Sequence, residues 1–179
     1  MLRPMDTALV LLDVQGKLAT LMHEREALYR NLRLLVQGVQ ALRLPILWLE
    51  QYPQGLGPTI PEVAELLAGQ QPLAKTCFSA CGLSEFIVRL RQTGRRQLLL
   101  AGIETHICVY QTCRDLLSGG YEVEVVADAV SSRTAENRCL GIERMVAAGA
   151  AATSVELCLF ELLGRAGTPE FKQIAQLVK

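Results

Sequence analysis

Residues 7–12, Thr-Ala-Leu-Val-Leu-Leu, run apolar without alternation and stop at a carboxylate, Asp13. A strand with one face in water alternates polar and apolar side chains, and a strand covered on both faces does not. This run therefore predicts a parallel strand sandwiched between helices. Further runs of strand length recur at 46–50, 73–76, 97–101, 121–127 and 151–153. Leu28, Leu32, Leu35, Val39 and Leu42 step by three or four residues and predict a helix that stops before Pro45. Further helices are expected at 61–68, 84–91, 105–117, 133–148, 155–163 and 169–178. Local chemistry marks the joints: Ser84 as a helix cap, Gly119 and Gly120 closing the helix before them, Ser131 and Ser132 capping the next, and Asp128 shaping the turn that leads to it. The alternation predicts an α/β chain, a three-layer α/β/α Rossmann-like fold around a six-stranded, mostly parallel sheet. No linker, repeat or low-complexity tract interrupts residues 1–179, which are expected to form one domain.

Size and charge narrow the partners. A chain of 179 residues buries roughly two-thirds or more of the surface its unfolded form exposes, so a core forms without disulfide or metal staples. Lys plus Arg number 18, as do Asp plus Glu. A zero net charge exerts no long-range pull on nucleic-acid phosphates or anionic membranes, and neither is expected as a partner. No stretch approaches the ~18 consecutive apolar residues of a membrane helix, and the first residues lack the apolar core and cleavage site of a secretory signal. A cytoplasmic protein is expected, with Cys77, Cys81, Cys108, Cys113, Cys139 and Cys158 reduced.

In such a sheet, ligands bind beyond the carboxyl ends of the strands, near the switch in strand order. Asp13, Glu50, Lys75, residues 102–108 and Asp128 fall at those ends. Cys108 is expected in the first turn of the helix after the fourth strand, where unpaired N–H groups and the helix dipole favour a thiolate. Asp13 is a base for that thiol, and Lys75 a positive charge that keeps both ionised. Each has a plainer reading: a buried core cysteine, a loop acceptor, a solvated lysine. Together they are a nucleophile, a base and a charge partner, each following a different strand. A working set predicts a depressed Cys108 pKa and selective alkylation; an idle set predicts an inert buried thiol. Gln15 orients either the substrate or the base. In the Pro/Gly-rich stretch that follows the second strand, Glu50, Gln51 and Tyr52 either contact substrate or hydrogen-bond within the loop; Phe78 is either a pocket wall or core. The spacings Cys77/Cys81 and Cys108/Cys113 are not those of zinc sites. Asp13-Val-Gln-Gly-Lys17 stands where a dinucleotide site needs G-x-G-x-x-G, and no cofactor is expected.

Leu-Leu-Asp13-Val-Gln15, Lys75 and Ala-Gly102-Ile-Glu104-Thr-His-Ile-Cys108-Val resemble the isochorismatase-like cysteine hydrolase superfamily, and the likeness spans nearly the whole chain. Glu50-Gln-Tyr-Pro-Gln-Gly-Leu-Gly57, Leu73-Ala-Lys-Thr-Cys-Phe-Ser79 and Pro169-Glu-Phe-Lys-Gln-Ile174 resemble its branch typified by isochorismatase domain-containing proteins of the second type. The resemblance implies that Asp13, Lys75 and Cys108 are the triad of the superfamily's amidases. It implies a cis peptide at Ile103–Glu104, with N–H groups of Glu104 or Thr105 and Cys108 aimed at an oxyanion. It also implies homo-oligomers, for which residues 140–163, with Met145, Val146, Leu157, Leu159 and Phe160, offer an interface unless the last helix covers them. The superfamily's nicotinamidases hold a metal with an Asp and two His near the second strand. Here that region reads Trp48-Leu-Glu-Gln-Tyr-Pro-Gln-Gly, and the two histidines are His23 and His106, so no metal is expected. His106 is left to a substrate or a subunit contact. Retention of Cys108 favours a small carboxamide or related C–N substrate, cleaved through a thioester by a metal-independent cysteine hydrolase. The alternative is a binding or scaffold protein whose triad is idle.

Overall fold

A computed structural model describes residues 1–179. Six strands, β1 (Thr7–Leu12), β2 (Ile46–Gln51), β3 (Leu73–Lys75), β4 (Gln97–Ile103), β5 (Glu122–Ser131) and β6 (Ala151–Thr153), form one sheet in the order β3-β2-β1-β4-β5-β6. Every neighbouring pair is parallel, so the expected mostly parallel sheet is wholly so. A parallel neighbour requires a crossover, and no two consecutive strands are joined by a tight hairpin.

The crossovers supply the outer layers. Side chains of β1 alternate between them: Leu9 and Leu11 pack with α2 (Arg25–Ala41), α8 (Val155–Leu163) and α9 (Pro169–Leu177). Ala8, Val10 and Leu12 pack on the opposite face with α5 (Ser84–Thr93), α6 (Tyr110–Ser118) and α7 (Ala135–Ala147). All six β1 residues are buried, as the unbroken apolar run requires. Each leucine so enclosed contributes about 1.5–3 kcal/mol relative to exposure. No helix is long and apolar enough to cross a membrane.

Several joints differ from expectation. Short helices α1 (Gly16–Thr20), α3 (Pro53–Leu56) and α4 (Pro61–Ala64) line the β1 and β2 exits; the first two span too few residues to show a period. Leu83, not Ser84, precedes α5, and no side chain caps that helix. Thr134 caps α7 by accepting from the Asn137 N–H at 3.2 Å, in place of Ser131 and Ser132. Asp128 lies inside β5, where the register against β4 shifts between Leu100 and Gly102. Backbone carbonyls stranded there are satisfied from helices: Arg138 donates to Ala127 and Val130, and Asn31 to Asp128. The Asp128 carboxylate accepts from the Val155 N–H at 2.9 Å, fixing the start of α8. Such an irregularity removes ladder partners, and those side chains replace them.

Strand order reverses between β1 and β4, so the carboxyl ends of these two strands flank a crevice. Gly102 permits their close approach. Its φ is +116°, and a Cβ there would stand 2.0 Å from the Leu12 carbonyl oxygen. After β4 the chain makes one π-type turn, Thr105–Val109, before α6 begins.

Candidate active site

Asp13 leaves β1 in the left-handed region, φ 58°, a conformation Asp tolerates better than most residues. Lys75 ends β3, two strands away, and its side chain reaches back along the sheet edge. Its Nζ donates to Asp13 Oδ2 at 2.7 Å, and the two side chains are 0% and 2% exposed. The same Nζ meets Gln51 Oε1 at 2.6 Å, the Phe78 carbonyl at 3.0 Å and the Cys77 carbonyl at 3.3 Å. Four acceptors and no competing donor surround it, the environment of an ammonium. Asp13 Oδ1, by contrast, is buried without a hydrogen-bond partner.

Cys108 lies in the π-type turn, 6% exposed, close enough to Asp13 and Lys75 for each to act on its charge. Its Sγ approaches Gln51 Oε1 at 3.9 Å. Burial pushes the thiol up to about 12, and the Asp13 carboxylate adds to the shift against the pull of Lys75. The thiolate expected from a helix start is therefore not the resting form. Desolvation and a neighbouring carboxylate outweigh the ammonium. Burial also raises Asp13 above the ordinary carboxylate range, with Lys75 opposing.

The Ile103–Glu104 peptide is cis. The Glu104 carbonyl accepts from the N–H groups of Ile107 and Val109, which fixes the turn carrying Cys108. The Glu104 side chain accepts from Arg133 Nε at 3.0 Å and from its N–H at 3.1 Å. Thr105 is fully buried, and its Oγ1 has no partner.

The remaining expected contacts divide. Gln15 is buried and spends its amide on main chain: Oε1 accepts from the Gln51 N–H at 2.6 Å, and Nε2 donates to the carbonyls of Gln51 and Gly57 at 3.0 and 2.7 Å. It holds the segment after β2 in place. Glu50 accepts from the Thr59 N–H and hydroxyl, which answers the substrate-or-loop alternative for that residue on the loop side. Tyr52 and Phe78 are each 53% exposed, so Phe78 is not core. Gln51 joins Lys75 and Cys108 directly; a glutamine ending an interior strand was the available signal. His106 Nδ1 lies 2.9 Å from Ser132 Oγ, and His23 Nε2 lies 3.9 Å from Glu24, so the two imidazoles are committed separately. No group of three or more His, Cys, Asp or Glu side chains is placed to hold a metal ion.

The model of one domain family, described as the Isochorismatase domain, matches residues 7–156. Isochorismatase domain-containing protein 2 of Bos taurus is 39% identical over 176 residues, covering 98% of this chain and 84% of its own. The structure titled MAR1 ribonuclease from Caenorhabditis elegans superposes with a TM-score of 0.92 at 36% identity, covering 99% of this chain and 91% of its own. The YcaC gene product of Escherichia coli, titled an octameric hydrolase of unknown specificity, also gives 0.92, at 26% identity over 98% of this chain and 88% of its own.

Proposed function

From the premise that the chain belongs to the isochorismatase family of hydrolases, we propose that it is a cysteine hydrolase of small carboxamides or related C–N compounds. One geometric observation carries the reading: Asp13 has one oxygen committed to Lys75 and the other unpartnered, close enough to Cys108 to act on its thiol; the raised thiol is the resting form named above for an idle set, so on this reading Asp13 draws the proton only as sulfur attacks. A base needs a free lone pair and a fixed orientation, and this carboxylate has both.

Asp13 Oδ1 takes the Cys108 proton as Sγ attacks the carbonyl carbon. Backbone N–H groups of Glu104 or Thr105 and of Cys108 hold the tetrahedral oxyanion, each such donor contributing on the order of 3 kcal/mol. The C–N bond then breaks, and the proton on Asp13 leaves with the amine. Water attacks the thioester, Asp13 receives its proton and returns it to sulfur, and the acid departs. Lys75 keeps Asp13 ionised between steps. A homo-oligomer is the working unit we infer, supported by the octameric E. coli relative and by exposed Leu140, Val146, Leu157 and Phe160 on α7 and α8. Zero net charge and the carboxylates of Asp13 and Glu104 acting on Cys108 favour a neutral amide over a polyanionic RNA.

The test is a carboxamide panel, with an RNA substrate alongside, assayed for amine release and for a thioester at Cys108 by mass spectrometry. Asp13→Asn should lower turnover at least about a hundredfold. The same variant should accelerate Cys108 alkylation by iodoacetamide, because a charge opposing the thiolate is gone. No amide turned over, with alkylation indifferent to Asp13→Asn, would favour the idle scaffold; RNA cleavage lost in Cys108→Ala would replace the substrate class.

A further inference from the structure

We infer that Gln51 is a positioning residue for the nucleophile: its side-chain oxygen, shared between the Lys75 ammonium and the Cys108 thiol, holds Cys108 protonated in the resting site. The inference rests on the cysteine-hydrolase reading.

Gln51 ends β2 and is buried. Its neighbours make opposite demands, which decides which way the amide lies. The Thr76 carbonyl needs a donor and receives Nε2 at 2.8 Å; Lys75 Nζ needs an acceptor and finds Oε1 at 2.6 Å. Gln15 pins the Gln51 main chain on both its N–H and its carbonyl, so the side chain starts from a fixed point. The atom left to face sulfur, at 3.9 Å, is therefore the oxygen. The single thiol proton is also within reach of Asp13, so what Gln51 adds at 3.9 Å is the negative end of its amide dipole, which disfavours S⁻ whichever acceptor the proton faces. By taking one of the donor directions of Lys75, that oxygen also draws part of the ammonium's field away from the sulfur. The charged groups acting on Cys108 are Asp13 from the end of β1, Lys75 from β3 and Glu104 from the turn, while Glu50 acts on Asp13. Gln51 is the neutral member of that set, so replacing it with an anion or an apolar chain moves the thiol in opposite directions.

The experiment measures the iodoacetamide rate at Cys108, site by site in mass spectra, from pH 7 to 10 in wild type, Gln51→Glu and Gln51→Met. Gln51→Glu should displace the pH–rate line about tenfold toward slower reaction, the equivalent of one pKa unit. Gln51→Met should displace it several-fold toward faster reaction. A merely structural role moves the melting temperature but not the two lines in opposite senses. Equal rates, or shifts of one sign with the melt preserved, overturn the inference. Should Gln51→Glu not fold, Gln51→Met decides alone: faster alkylation supports the role, and equal or slower alkylation removes it. Asp13→Asn is run in parallel. A response there with silent Gln51 variants faults Gln51 only, and indifference there faults the nucleophile reading itself.

Discussion

Lys75 carries its charge to a place water does not reach, and its worth lies in what is left if it goes. Removing one partner of a buried pair strands the other charge, so Lys75→Met should cost about 3–5 kcal/mol in urea unfolding at neutral pH. The sign with pH follows from Asp13, whose folded pKa already lies above the ordinary value and rises further without the ammonium. As pH falls the carboxylate takes a proton, the stranded charge disappears, and the deficit should shrink. Pairing Lys75→Met with Asp13→Asn should restore much of the loss, which a double-mutant cycle would quantify. The three members of this site were visible as polar residues closing apolar runs. Gln15 and Gln51 were visible only as alternatives, because a glutamine in a sequence does not announce whether its amide meets backbone, ammonium or ligand.

The sheet was readable because short, largely apolar runs alternate with stretches of helical spacing, whereas the strand order β3-β2-β1-β4-β5-β6 was not among the expectations. What escaped was set by contacts across elements. β5 outruns its apolar pattern because Arg138 and Asn31 satisfy its irregular stretch, and nothing near residue 128 in the chain records those partners. The turn bearing Cys108 escaped in the same way: an α-helical start was expected, and a π-type turn stands there with α7 packed against it. That packing depends on Gly141, where a Cβ would lie 2.9 Å from the backbone of Thr105. Gly141→Ala should force the turn and helix apart, costing about 1–3 kcal/mol in stability. It should also lower amide turnover by about tenfold or more, since small misplacements of a nucleophile are expensive. Retained turnover at a reduced melting temperature would separate packing from positioning.

For the molecule as a whole, four thiols set an alkaline limit. Burial raises Cys81 to about 11 and Cys108, Cys113 and Cys158 to about 12, from an ordinary value of 9.0. Below pH 9 they are neutral in folded and unfolded chains alike. Above it the unfolded chain releases protons that the folded chain retains, so stability should fall as pH rises from about 9 toward 11–12. The urea midpoint across that range checks this, and Cys113→Ala should flatten the decline. Tyr52 and Phe78 stand outside this economy of buried groups: half-exposed, with only their backbones tied to Lys75. On the hydrolase reading, descendants of this scaffold can exchange those two side chains while Asp13, Lys75 and Cys108 are inherited unchanged, which makes these two positions the natural place for lineages to diverge and for libraries to begin.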